Sequence, residues 1–375
     1  MDFDFAPDTL MLRDMLKRFV QKDVRPLEMK YFTNGRLEPE ERDHLRRAIE
    51  QMGLWGLTVP EEHGGGVDMV TACLLEIELG KSFVPLEIGE VPQSLYACSG
   101  EQISHYLKPA LAGERRAILA VREPGRIHPQ SWNMQAIPGG NGAQGDYVLN
   151  GQKVVETYPQ PEDFLVVMAR SAQGYSAFLV DADNSQLTCQ MSKPGDREFT
   201  LQFVNMQVSK HALIGEPDGA LQMLASAAPS TRIRLGARYV GIVERLLEMA
   251  LEHAKDWVVF EAPMSARPAV QRMLAETHAE LESARWLVYH AAWLAGLDRE
   301  DQLRQAAANV RLITGKLLQA AVERVTLVYA GPGPAGGIGP SQFGYSAISP
   351  ETLEMALEKA RAEIATALLD LHPNR

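Results

Sequence analysis

Residues 226–293 leave few options for the fold. The first half carries apolar residues almost all round a helical wheel, among them Ile233, Leu235, Ala237, Val240, Val243, Leu246, Leu247, Ala250 and Leu251. A helix apolar on every side is one buried among other helices. The second half is striped, with Val270, Met273, Leu274, Leu281, Ala284, Val288 and Ala291 at helical spacing among Arg272, Glu276, Glu280 and Arg285. Two long helices joined by a loop are predicted, set in a bundle large enough to cover the first. The loop and the first turn are where chemistry is expected, because a buried pair of helices is otherwise scaffold.

The rest of the chain supplies that bundle and one other layer. Helices are predicted from Asp8 to Val24, with Asp8 as cap and Pro26 as stop, from about Pro39 to Met52, from Val70 to Ser82 and from Gln102 to Leu111. Between them GLWGLTVPEEHGGG (Gly53 to Gly66) reads as an irregular connection. Near Ala117 the apolar period changes to alternating or continuous, giving strands at 117–121, 146–150, 164–169, 176–180 and 199–208. Pro138-Gly139-Gly140 and Asn150-Gly151 mark turns between strands. After Gly215-Glu216-Pro217 the helical period returns and holds to the end, broken by the glycine and proline cluster from Gly331 to Pro340. The expected fold is α+β: an N-terminal α-helical domain (1–115), a middle β-domain (116–217) and a C-terminal four-helix bundle (218–375).

Composition narrows the function classes. The net charge of -11 disfavours binding to phosphate backbones or anionic lipid. No apolar run approaches the roughly 18 to 20 residues that span a bilayer, and the acidic start MDFDFAPDTL lacks a basic n-region and an apolar h-region, so a cytoplasmic protein is expected. Cys73, Cys98 and Cys189 are scattered and odd in number, and the histidines form no paired-ligand motif, so neither a disulfide framework nor a metal site is indicated.

Five segments resemble the acyl-CoA dehydrogenase family of flavoproteins, in the family's order and over most of the chain. GLWGLTVPEEHGGG is similar to its N-terminal "GL.G...PE.YGG" segment, and Arg122-Glu123-Pro124-Gly125 stands where the family has Thr-Glu-Pro-Gly. DYVLNGQKVVETYPQPEDFLVVMA is similar to "Y.LNG.K.WITNG..AD..VV.A", and VNMQVSKHALIGEPDGALQML to "V.VP...ILGE...G". The opening helices resemble the region "R....A....G......A..YA..R..FG.P...FQ". The resemblance implies FAD at the edge of the β-domain, an acyl-CoA thioester between flavin and helix, and a glutamate that removes the α-proton while the flavin takes hydride.

Position by position, the resemblance also implies losses. The family keeps its glutamate in a C-terminal "YEGT" segment or in a Glu-Arg pair on the opening helix. Counting along the chain puts Ala367 at the first place, where Leu353, Leu357, Ala360, Ile364, Ala367 and Leu371 read as a packed helix, and Thr231 at the second. A threonine hydroxyl is no base at neutral pH. Arg232 keeps the place of an arginine near base and CoA and is the substrate-binding candidate; pairing with a carboxylate in a cap region is its alternative reading. The arginine that grips the FAD pyrophosphate is Trp257 here, followed by Phe260 and by Glu261 in place of glycine. The flavin-facing tryptophan is Val155. Arg122, Thr157, Phe260, Gln271, Gly331 and Gly333 are the remaining cofactor-binding candidates, while Pro332 removes one donor from the glycine segment. Glu61, Glu62 and Glu123 are candidate relocated bases only by lying in family segments, and solvated surface charge is the plainer reading of the first two.

Some family members for bulky sterol side-chain thioesters resemble this arrangement, pairing two different subunits of which one carries the base. Three readings follow: a degenerate subunit in such a heterotetramer, with FAD lost or held through a partner; an active FAD enzyme with a relocated base; and a binding or scaffold protein. A homo-oligomer is the alternative to a second family member as partner.

Overall fold

The computed structural model describes residues 4–86, 88–126, 131–139, 146–192, 198–297, 299–330 and 337–369. The chain divides into two compact units, one of Met1–Ile88 with Pro229–Arg375 and one of Gly89–Ala228. The first is helical, and the second is built on a sheet.

In the helical unit the N-terminal helices are α1 (Pro7–Phe19), α2 (Glu28–Asn34), α3 (Pro39–Gln51) and α4 (Met69–Gly80). Two local expectations fail at the first of these. Asp8 is not the cap, since the cap position is Ala6 and Asp8 lies in the first turn, where its charge complements the helix dipole. Pro26 does not stop the chain either: the helix widens into a π turn at Val20–Val24, and Pro26 sits in a 3-10 turn that leads straight into α2. Proline is tolerated at the start of a helical segment because no partner for its missing N–H is needed there. The predicted α3 and α4 hold within a residue or two, opened by a Glu38–Glu41 capping box and by Asp68 accepting from the Thr71 N–H.

The two long helices are α6 (Ala220–Asp256) and α7 (Pro268–Leu294), with α5 (Lys108–Leu111) earlier in the other unit. Thus α6 starts six residues before the expected 226 and carries Pro229 inside it. Its fully buried face (Ile233, Ala237, Val240, Val243, Leu246, Ala250) joins α7, α8 (Glu300–Val328), α9 (Pro340–Gly344) and α10 (Pro350–Leu368) in one core. The α4–α6 crossing is closer than side chains allow. A Cβ on Gly241 would fall on the carbonyl of Ile77, and one on Gly80 on the carbonyl of Arg238. Buried Glu76 bridges the same crossing, accepting from Arg234 at 2.7 Å and Arg238 at 2.8 Å.

The predicted gap from 331 to 340 falls mostly on residues 331–336, which lie outside the described residues, as do Gly140 and Leu371. The C-terminal helix is α10. Leu353, Leu357 and Ala360 are buried as expected, but Ala367 is exposed, because the last turn of α10 extends beyond the core.

In the second unit the sheet runs β6-β7-β3-β2-β4-β5-β8, with β1 pairing β4, where β1 is Ala117–Ala120, β2 Gln135–Pro138, β3 Tyr147–Val155, β4 Phe164–Arg170, β5 Tyr175–Asp181, β6 Leu187–Met191, β7 Phe199–Val208 and β8 Leu213–Ile214. All five predicted strands are present, and β2, β6 and β8 are additional. β6 and β8 are edge strands and β2 is a four-residue piece between β3 and β4, and all three are short, with no sustained apolar alternation to announce them. The continuous apolar run of β4 is explained by burial on both faces, Phe164, Val166 and Met168 on one and Leu165, Val167 and Ala169 on the other. Asn150-Gly151 is not a turn. It is an irregularity within β3, where the register with β7 shifts between Leu149 and Gly151 and Gly151 has φ 141°. The predicted helix at 102–111 is a π turn at Ile103–Leu107 followed by α5.

Beneath this sheet lies a charged pair. Lys153 on β3 is fully buried, its Nζ donating to the carbonyl of Val121 at 3.0 Å and to Glu123 Oε1 at 3.1 Å, above the Trp132 ring. Glu123 also accepts the backbone N–H groups of Asn133 at 2.6 Å and Met134 at 2.9 Å. Burial pushes the Lys153 ammonium down from 10.5 to about 8, against the pull of Glu123.

Two measurements check these packing arguments. Gly241→Ala is expected to cost about 2 kcal/mol, the range of overpacked cores, seen as a lower urea midpoint; a neutral effect would mean that the helices are free to part. For Lys153, the unfolded chain holds the proton up to about 10.5 and the folded chain only to about 8, so stability from this group rises with pH across that window. The unfolding free energy of the natural chain minus that of Lys153→Met should therefore grow on going from about pH 7 to about pH 10, by up to about 3 kcal/mol at about 1.4 kcal/mol per unit. A flat difference would contradict the buried placement.

Candidate functional site

The candidates fall into one group on the sheet unit and one on the helical unit. On the sheet unit, the Val154 N–H donates to the carbonyl of Arg122, so the end of β3 lies beside Arg122. Arg122 and Thr157 are thus brought to the same strand end. The Arg122 guanidinium is engaged there by Glu156 Oε1 at 3.2 Å and Glu198 Oε1 at 3.0 Å. Two carboxylates around one guanidinium leave a local excess of negative charge, the opposite of what an anionic cofactor needs. Val155, in the place of the flavin-facing tryptophan, is buried in the sheet core. Thr157 is exposed in the turn after β3. Glu123 is held by two backbone N–H groups and Lys153, so it is a structural carboxylate and not a base open to substrate. Glu61 and Glu62 belong to the helical unit and are exposed in a 3-10 turn, in keeping with solvated charge.

On the helical unit, Thr231 and Arg232 lie inside α6 and not at a helix start, because the helix begins at Ala220. Thr231 is exposed. Arg232 is locked in a two-pronged ion pair with Glu363 on α10, at 2.6 and 2.9 Å. The carboxylate-pairing reading of Arg232 is therefore the one seen, although in the body of a helix and not at a cap. Glu363 was missed by sequence reasoning. It stands four residues after Lys359, one helical turn away on the same face, and that spacing was the available signal.

The loop after α6 is a two-residue hairpin between β9 (Val258–Val259) and β10 (Ala262–Pro263). Phe260 and Glu261 form its turn with φ of 50° and 62°, so the position where the family has glycine keeps a left-handed backbone while carrying a side chain. Phe260 is 90% exposed. Arg267 braces the hairpin by donating to the carbonyl of Val259. Gln271, in the first turn of α7, spends its side-chain N–H on the carbonyl of Ser265 at 2.9 Å. Trp257, in the place of the phosphate-gripping arginine, stacks on His253, which stacks in turn on Tyr329 at 4.1 Å. Burial pushes the His253 imidazole down, towards its neutral form. This three-ring stack was not foreseen, though His253 and Trp257 are four residues apart on one helix face. Gly331 and Gly333 lie outside the described residues.

As a donor set for a flavin dinucleotide these residues do not fit. Among the described residues, a tryptophan and a glutamate stand at the positions that the resemblance assigns to a cation and a glycine beside the diphosphate, Arg122 is taken up by carboxylates, and Gln271 by a carbonyl.

The comparisons with known proteins agree with the fold and with the segment order. The sequence model of the acyl-CoA dehydrogenase N-terminal domain matches residues 6–114 and that of the C-terminal domain residues 219–363. The chain is 26% identical to (R)-benzylsuccinyl-CoA dehydrogenase of Thauera aromatica, over 98% of this chain and 97% of that one. It superposes with a TM-score of 0.88 on a putative acyl-CoA dehydrogenase from Mycobacterium abscessus, at 20% identity over 98% and 99% of the two chains. A glutaryl-CoA dehydrogenase from Mycobacterium smegmatis, solved in complex with FADH2, superposes with a TM-score of 0.82, at 20% identity over 99% and 97%. With family models matching its helical N-terminal and C-terminal regions in order, over more than half of its length, this chain belongs to the acyl-CoA dehydrogenase family.

Proposed function

We propose that this chain is the non-catalytic subunit of a heteromeric, FAD-dependent acyl-CoA dehydrogenase, in which a second family member supplies the base that starts α,β-dehydrogenation of an acyl-CoA thioester. The observation that carries this reading is the Thr231–Arg232 pair. An exposed hydroxyl replaces the carboxylate on α6, and the arginine beside it is already held by Glu363. The donor set unsuited to FAD points the same way. Thioesters of coenzyme A are the substrates named for the relatives, which supports the substrate class and leaves the acyl group open.

Such a subunit needs a surface for its partner. At the end of the bundle marked by the Trp257–His253–Tyr329 stack, Trp257 is 57%, Val258 61%, Phe260 90% and Leu327 65% exposed. Apolar side chains gathered at one end of a helical unit favour association with another protein surface. The partner proposed for it is a chain of the same fold, as the resemblance implies.

A second reading, an active enzyme with a relocated base, is favoured by one observation: Glu363 is a carboxylate placed against Arg232. The two readings part in simple measurements. The chain purified alone is expected to be colourless and to oxidise no acyl-CoA, and co-expression with a family member that retains its glutamate is expected to give a yellow, active complex. Stoichiometric flavin and turnover from the chain alone would exclude the first reading. Loss of that turnover in Glu363→Gln would then establish the second. Phe260→Asp is expected to separate the complex on a sizing column while leaving the helical content of the chain unchanged.

A further inference from the structure

We infer that the junction of α6, α8 and α10 is a binding site for an oxyanion, a phosphate or a carboxylate group, held by Arg232, Arg311 and Lys359. The three residues come from three helices that the packing brings to one level. α6 and α8 touch where a Cβ on Gly236 would strike Val310 and lie 3.2 Å from the Thr314 hydroxyl. α8 and α10 touch at the next residue of α8, where a Cβ on Gly315 would meet Leu357 at 2.7 Å and Leu353 at 3.1 Å. Arg232 is one turn before Gly236 and Arg311 follows Val310, while Lys359 lies one turn before Glu363 on a different face of α10 from Leu357, the face that meets Arg232. The Arg232–Glu363 ion pair at 2.6 Å closes the triangle between α6 and α10.

The charges in this triangle do not balance. Three cations face the single carboxylate of Glu363, and its two oxygens are both given to Arg232. Arg311 forms no ion pair among the described residues, and its Nε is sealed from solvent without a hydrogen-bond partner. A guanidinium in that state is costly unless an anion completes it. Burial first and then the neighbouring Arg232 lower the Arg311 pKa, and burial lowers that of Lys359, where Arg232 and Arg311 act against the pull of Glu363. The site is accessible. Lys359 is exposed at the rim, while the Arg232 side chain, 13% exposed, is set deeper. Planar guanidinium groups prefer oxygens of phosphate and carboxylate, which identifies the class.

The inference does not rest on the proposed loss of catalysis, because its probes are small anions and its readout needs neither turnover nor cofactor. Isothermal titration of the purified chain with inorganic phosphate, with glutarate and with potassium chloride at equal ionic strength tests it. Saturable binding of about one anion per chain above the chloride control is expected, and the arm that binds tells a phosphate source from a carboxylate source. Arg311→Met and Lys359→Met should each weaken that binding about tenfold or more, as loss of a charge-assisted contact does, and Glu363→Gln should tighten it by removing the competing carboxylate. In anion-free buffer Arg311→Met should unfold at the same or a higher temperature than the natural chain. No binding above chloride, or binding that survives both methionine variants, would overturn the site. So would a lower unfolding temperature for Arg311→Met, since that would mean the guanidinium already has its partner within the chain.

Discussion

Glu76 is the charge on which the helical unit turns. It is buried in α4 and clamped by Arg234 and Arg238 of α6, at the crossing where Gly80 and Gly241 let the two backbones approach. Burial alone would raise its pKa, but Arg238 and Arg234 outweigh burial and hold the carboxyl below its usual value. A buried carboxylate between two guanidiniums fixes the rotation and the height of α6 against α4, because sliding by one turn would strand a charge in the core. Once α6 is fixed in this way, Arg232 is fixed about one and two-thirds turns before Arg238, and with it the side that Arg232 offers to α10. The glycines at 236 and 315 then draw those two helices in.

How much of this was legible follows from the range of the signal. The long helices were readable because burial repeats every three to four residues in α6 and α7, and β4 was readable because burial on both faces leaves a continuous apolar run. Pro26 and Asn150-Gly151 misled for one reason: each is a local stop signal overridden by packing, the first absorbed in a π turn and the second in a bulge that β7 pairs across. The short strands β2, β6 and β8 owe their existence to their neighbours and carry no period of their own.

The candidate site was readable as a set of substitutions but not as a set of contacts. Thr231, Trp257 and Glu261 were visible as departures from family motifs. That Arg232 reaches Glu363, over a separation of 131 residues, was not visible, nor that Trp257 stacks on His253 and Tyr329. Such partners depend on which helix faces which, and sequence spacing reports only the faces of single helices. Arg122 shows the same limit from the other side. Its residue type suited a cofactor, and the structure gives its charge to Glu156 and Glu198.

What was kept and what was lost differ by depth. The Glu76 clamp, the glycine crossings and the Lys153–Glu123 pair lie inside the two units, with each buried carboxylate hydrogen-bonded. The departures are at positions whose loss costs the fold little: an exposed threonine, a hairpin tip and a strand end. Glu261 makes the point sharply, because the left-handed backbone persists at 62° although the glycine that suits it is gone. A non-glycine residue at such an angle costs on the order of 1 kcal/mol. The β9–β10 pairing on either side fixes that turn, so the side chains at its tip bear the strain and the packed helices beneath do not.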